Sequence, residues 1–89
     1  MTSNKNQLLE FPCEFPIKAM GIATHEFETE VLAIISKYFA KLSETAIRSN
    51  HSKDGKYLSI TINVTAQNRE QLDGVYLDLT ASKLVLMAF

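Results

Sequence analysis

Between Tyr57 and Thr65 the side chains alternate without a break: Leu58, Ile60, Ile62 and Val64 are aliphatic, whereas Tyr57, Ser59, Thr61, Asn63 and Thr65 carry polar groups. A period of two is that of a β-strand with one face buried and the other wet. The chain must therefore build a sheet, and apolar surface from elsewhere must cover one side of it. Two segments of helical period can supply that cover. Phe27, Val31, Ile34, Ile35, Tyr38 and Leu42 share one stripe of a helix expected from His25 to Lys41. Leu72, Val75, Tyr76 and Leu79 share another from Asn68 to Ala81. Thr24 is placed to cap the first helix, and Glu26, Glu28 and Glu30 put negative charge in its opening turns, where the helix dipole favours it.

The remaining segments complete the order strand, helix, strand, strand, helix, strand. Phe15, Ile17 and Ala19 alternate with Pro16, Lys18 and Met20 in a first strand from Glu14 to Gly21. Ala46 and Arg48 alternate with Thr45, Ile47 and Ser49, and Asp54-Gly55 supplies a tight turn into the long strand. Lys83 to Phe89 ends in Leu84-Val85-Leu86-Met87-Ala88-Phe89, apolar at every position, which predicts a last strand covered on both faces. Residues 1–8 are polar and read as a flexible tail, with one domain from 9 to 89. Leu9 to Cys13 is expected to be an ordered arm.

This order is the split βαβ arrangement, an α+β, βαββαβ ferredoxin-like sandwich. Right-handed crossovers put both helices on one face of a four-stranded antiparallel sheet. Ser59, Thr61 and Asn63 then lie on the open face, with Lys18 and Met20 beside them. A wet second face on the last strand predicts a homodimer through the sheet, or an arm docked across it. Leu32 and Phe39 fall outside the first helical stripe and extend the apolar surface toward the second helix or, with Leu84 and Leu86, toward an interface. Gly74 lies opposite the second stripe and reads as drift, with close backbone approach by a partner as the alternative.

Charge narrows the functions. A net charge of −1 over 89 residues gives no general attraction to phosphate backbones, so nucleic acid is not expected. Tyr57 is a single aromatic without a basic flank, unlike RNA-stacking sheets. Cys13 is the only cysteine, which excludes an internal disulfide and suits the cytoplasm. No segment has the apolar length of a signal or a membrane span, so no membrane partner is expected. His25, His51 and Cys13 have no metal-ligand spacing, and Cys13 has no recognisable base, so neither a metal, a cofactor nor a catalytic centre is expected.

Leu8-Leu9-Glu10-Phe11-Pro12, Phe15, Lys18-Ala19-Met20-Gly21, Ser52 with Gly55, Tyr57, Ser59 and Thr61, and Gln71-Leu72 with Tyr76 and Leu79 together resemble the YbeD-like family of small bacterial proteins. The resemblance implies a ferredoxin-like fold similar to the ACT regulatory domains, in a family without a settled activity, for which a link to lipoate metabolism has been suggested. Phe39 to Glu44 lacks the Pro-Gly turn of some relatives, and the last strand lacks a basic residue. Gly21 ends the first strand roughly where ACT domains let backbone amides approach an amino-acid ligand.

The expectation is thus a non-catalytic regulatory or adaptor domain that binds a small-molecule effector or a protein partner. Lys18, Met20, Gly21, Ser59, Thr61 and Asn63 form the candidate ligand or partner face. A pure protein–protein interaction module is the alternative. An acylphosphatase-like enzyme is the distant third: Asn63 is available to it, but Gly21 to Thr24 holds no arginine.

Overall fold

The computed structural model describes residues 10–40 and 46–89. The expected tail, together with Leu9, Lys41, Leu42 and Thr45, lies outside the described residues. The elements are β1 (Cys13–Ile22), α1 (His25–Tyr38), β2 (Ile47–His51), β3 (Tyr57–Ala66), α2 (Arg69–Ala81) and β4 (Met87–Ala88). All pairings are antiparallel, in the order β2-β3-β1-β4, as the ferredoxin-like reading requires.

β1 and β3 pair over their full length, from Cys13 opposite Ala66 to Ile22 opposite Tyr57. That register puts Ile17 and Ala19 on the same side as Leu58, Ile60, Ile62 and Val64, and all six are buried. Phe27, Val31, Ile34 and Ile35 of α1 and Leu72, Val75 and Leu79 of α2 close over them in one core. Both helices start at side-chain caps. Thr24 Oγ1 accepts from the Phe27 amide at 3.0 Å and Asn68 Oδ1 from the Gln71 amide at 3.0 Å, each satisfying an N–H that the helix leaves free.

Phe39 is a correction to the helical wheel. The helix ends at Tyr38, Phe39 turns to φ −131°, and its ring is buried in the core. Once the backbone leaves helical geometry, 100° spacing no longer dictates where a side chain points. Leu32 is half-buried and packs on the same core.

Gly74 is a second correction. A Cβ there would lie 2.5 Å from the Tyr38 ring, so the glycine is the point of close approach between α1 and α2. Across that contact Tyr38 Oη and Lys37 Nζ both donate to Asp78 Oδ2, at 2.9 and 2.8 Å, and Gln71 Nε2 donates to the Tyr38 carbonyl at 2.9 Å. Glu30 also belongs to this seam, since Ser82 Oγ donates to its Oε2 at 2.8 Å; only Glu26 and Glu28 sit in the first turn of α1.

The last strand departs most from expectation. β4 itself is only Met87 and Ala88, flanked by backbone hydrogen bonds from Leu86 and Phe89 to β1, and Leu84, Leu86, Met87 and Phe89 are 39 to 53% exposed. The helices reach one face only, so an unbroken apolar run here marks an uncovered edge strand rather than a doubly buried one. Phe11 packs against the core, and these side chains stay exposed with it in place.

Two outcomes follow from the packing. Gly74→Ala should fail to yield the roughly 1 kcal/mol that helix propensity promises, because the methyl group meets Tyr38; urea unfolding reads the difference. The second concerns pH. Hydrogen bonds from Lys37 and then Tyr38 hold the Asp78 carboxyl below its ordinary range. A depressed carboxylate contributes stability above its unfolded value of about 3.9 and loses it as pH falls through the lower folded value. Asp78→Asn should therefore flatten the acid limb of a stability-against-pH curve while leaving its shape near neutrality.

Candidate binding face

The face of the sheet that the helices leave open is built by register. On β1 and β3, Lys18 lies opposite Thr61, Met20 opposite Ser59 and Pro16 opposite Asn63. β2 extends two of these rows, with Arg48 opposite Thr61 and Asn50 opposite Ser59. β4 extends them on the other side, with Met87 opposite Met20. Phe89 exchanges backbone hydrogen bonds with Lys18 at 2.8 and 2.9 Å and so prolongs the row that holds the two cations. Paired residues in a sheet project to the same side. The candidates Lys18, Met20, Ser59, Thr61 and Asn63 therefore share one face.

Gly21 does not belong to it. The residue is buried on the helix side, where an added Cβ would lie 2.5 Å from the Leu84 carbonyl oxygen and 2.6 Å from the Phe27 ring. Its missing side chain makes room for protein, and no ligand can use that space.

The sequence reading missed Arg48, Ile22, Met87 and Phe89. Arg48 and Ile22 were legible in principle from period two, but their neighbours on the face depend on register. Ile22, opposite Tyr57, is 44% exposed and continues the apolar part of the face beyond Met20. Lys56 Nζ lies 5.4 Å from the Tyr57 ring centroid, within cation–π range. The result is a surface with apolar side chains on β1 and β4, crossed by a row whose two cations are Arg48 on β2 and Lys18 on β1.

Among the described residues, two concavities at the sheet stand out. One, of about 650 Å³, runs from Glu14, Asn63 and Thr65 to Tyr38 and Gln71. The other, of about 260 Å³, brings His25, His51 and Glu28 together at the start of α1. The sequence had kept the two histidines apart, and the hairpin brings them together. Among the described residues no group of three or more His, Cys, Asp or Glu is arranged to hold a metal ion. No helix among them is long and apolar enough to cross a membrane.

A family described as a protein of unknown function, DUF493, matches residues 6–89, nearly the whole chain. The chain belongs to the DUF493 family. Curated DUF493 relatives carry the name UPF0250 protein. One from Chromobacterium violaceum is 38% identical over 87 residues, which cover 98% of each chain. One from Neisseria meningitidis serogroup C is 42% identical over 82 residues, covering 92% of this chain and 90% of the relative. One from Nitrosomonas europaea is 37% identical over 83 residues, covering 93% and 95%. The DUF493 assignment agrees with the YbeD-like resemblance in the sequence and, like it, carries no activity.

If β4 of this DUF493 member is an uncovered edge, its exposed side chains contribute little to folding. Met87→Ser should change stability by no more than about 0.5 kcal/mol, whereas Ile62→Ala in the core should cost about 2–5 kcal/mol; chemical denaturation compares them.

Proposed function

We propose that this DUF493 member is a non-catalytic adaptor, ACT-like in architecture, that docks another polypeptide on the open face of its sheet. The observation that carries this reading is the unpartnered apolar run Ile22, Met20, Met87 and Phe89, placed side by side by register on a shallow surface. Apolar patches of this kind on soluble domains mark sites of association. The two edges of the sheet also differ. β2 bears Arg48, Asn50 and His51, the polar guard of an edge that avoids pairing, whereas β4 is apolar.

A small effector at the end of β1 is less well supported, since Phe27 and Leu84 occupy the space beside Gly21. The hydroxyls of the open face lend a catalytic reading little support. Ser59 lies between Met20 and Asn50, and Thr61 between Lys18 and Arg48, so neither hydroxyl has a base in register to take its proton.

Photocrosslinking in the cells of origin tests the reading. A benzoylphenylalanine at Met20 should form a discrete adduct with another protein, and the same group at Leu77, exposed on the helical side, should not. No adduct at Met20, or equal adducts at both positions, would overturn it.

A further inference from the structure

The charges of this domain are segregated by layer. α1 carries Glu26, Glu28 and Glu30 against Lys37 alone, and α2 carries Glu70, Asp73 and Asp78 against Arg69 alone. On the open face the balance is reversed: Lys18 and Arg48 stand against Glu14 at its far end, with Lys56 over Tyr57 at the border. Lys18 and Arg48 are exposed, and among the described residues neither is in an ion pair. They flank Thr61 in a single row, so their backbones stand roughly 10 Å apart, two strand spacings.

Resting on the docking function proposed above, we propose that the partner is an acidic polypeptide segment. It seats carboxylates on the Arg48–Thr61–Lys18 row and apolar side chains on Met20, Met87 and Phe89. Guanidinium and ammonium groups recognise carboxylates by charge-assisted hydrogen bonds, and the Thr61 hydroxyl between them supplies a further donor. The neighbouring apolar strip explains why the occupant must carry apolar residues as well: charge at a wet surface steers and orients, and buried apolar area holds.

A second copy of this chain fits less well. Packing like face on like face about a two-fold axis through the Thr61 row would set Lys18 and Arg48 against the same pair of the other copy, and each copy brings only Glu14 on this face to offset two cations. Packing the cationic face of one copy on the acidic helices of the next is heterologous and builds a ring or an open filament rather than a two-fold pair. Single-stranded RNA would also meet the cations, but two of them and one bordering tyrosine fall short of the stacking platform and funnel of charge that such binding uses.

The test is a titration of isotope-labelled protein, followed by its amide resonances. One probe is a short peptide with glutamates interspersed among leucines and isoleucines; a twin has lysines in place of the glutamates. The acidic peptide should shift Met20, Arg48, Ser59 and Thr61, and raised salt should weaken it. The lysine twin should leave these resonances in place. In a Lys18→Glu, Arg48→Glu variant the preference should invert, with the acidic peptide at least about tenfold weaker. The milder Lys18→Gln, Arg48→Gln variant should lose the acidic peptide without gaining the basic one, which guards against a fold disturbed by charge reversal.

Equal binding of both peptides, shifts confined to the helices, or no shift would overturn the proposal. So would RNA moving the open-face resonances where the acidic peptide does not, or a dimer in sedimentation whose contacts map to this face. The crosslink at Met20 separates the two readings. An adduct that survives Lys18→Glu, Arg48→Glu keeps the docking function and removes the acidic partner. Loss of the adduct only in that variant supports both, and no adduct in the unaltered protein removes both.

Discussion

The continuous antiparallel ladder between β1 and β3 is the constraint on which the rest of the structure depends. Ten residues of β1 face ten of β3, from Cys13 and Ala66 to Ile22 and Tyr57, so each side chain's face is fixed by that of its partner. A slip of one residue would send Ile17 and Ala19 into water and bring Lys18 and Met20 under the helices. The aliphatic alternation of β3 forbids that slip, because Leu58, Ile60, Ile62 and Val64 have only one side on which they can be buried. Core and candidate face are therefore two readings of the same register. The hydrophobic demand of one side places the polar and cationic residues of the other.

Helix packing adds a second layer of constraint. Gly74 lets α2 approach the Tyr38 ring, and the approach brings Asp78 within reach of both the tyrosine hydroxyl and Lys37. The exposed ion pair alone would stabilise little. Its association with a close helix contact gives it a structural consequence, since both helices are held at one separation over the sheet. At the other end of the same seam Ser82 and Glu30 join the start of the final connection to α1. From there the chain passes Gly21 at backbone distance, with the Leu84 carbonyl in the space a side chain would take, and turns up to the edge of the sheet as β4. The exposed apolar edge is thus delivered by packing deeper in the domain.

The division between acidic helices and a cationic, apolar sheet face gives the molecule two chemically distinct sides. The helices present a net-negative exterior that discourages like-charged neighbours. The open face combines a short apolar strip with charges of the opposite sign. That asymmetry is what makes a directional adaptor physically reasonable on a fold shared by many unrelated activities.

The amino-acid sequence by itself determined the element types, their order and the buried side of the helices and of the strands β1 and β3, because periods of two and of about 3.6 residues are local properties that survive without knowledge of neighbours. The cap at Thr24, the core-facing aliphatic residues, and the shared face of Lys18, Met20, Ser59, Thr61 and Asn63 were legible from the sequence, whereas Asn68, expected as the first residue of the second helix, proves to be its cap. Tertiary structure alone decided where periodicity stops. Phe39 leaves the helix and enters the core, Gly21 and Gly74 mark close approaches to Phe27 and Tyr38, and His25 and His51 line one concavity at the start of α1. It also decided that the last apolar run is an uncovered edge, because an unbroken row of apolar residues records no partner. Whether both sides of a strand are buried depends on which surfaces the helices reach, and that is set by crossover and register between segments far apart in the chain.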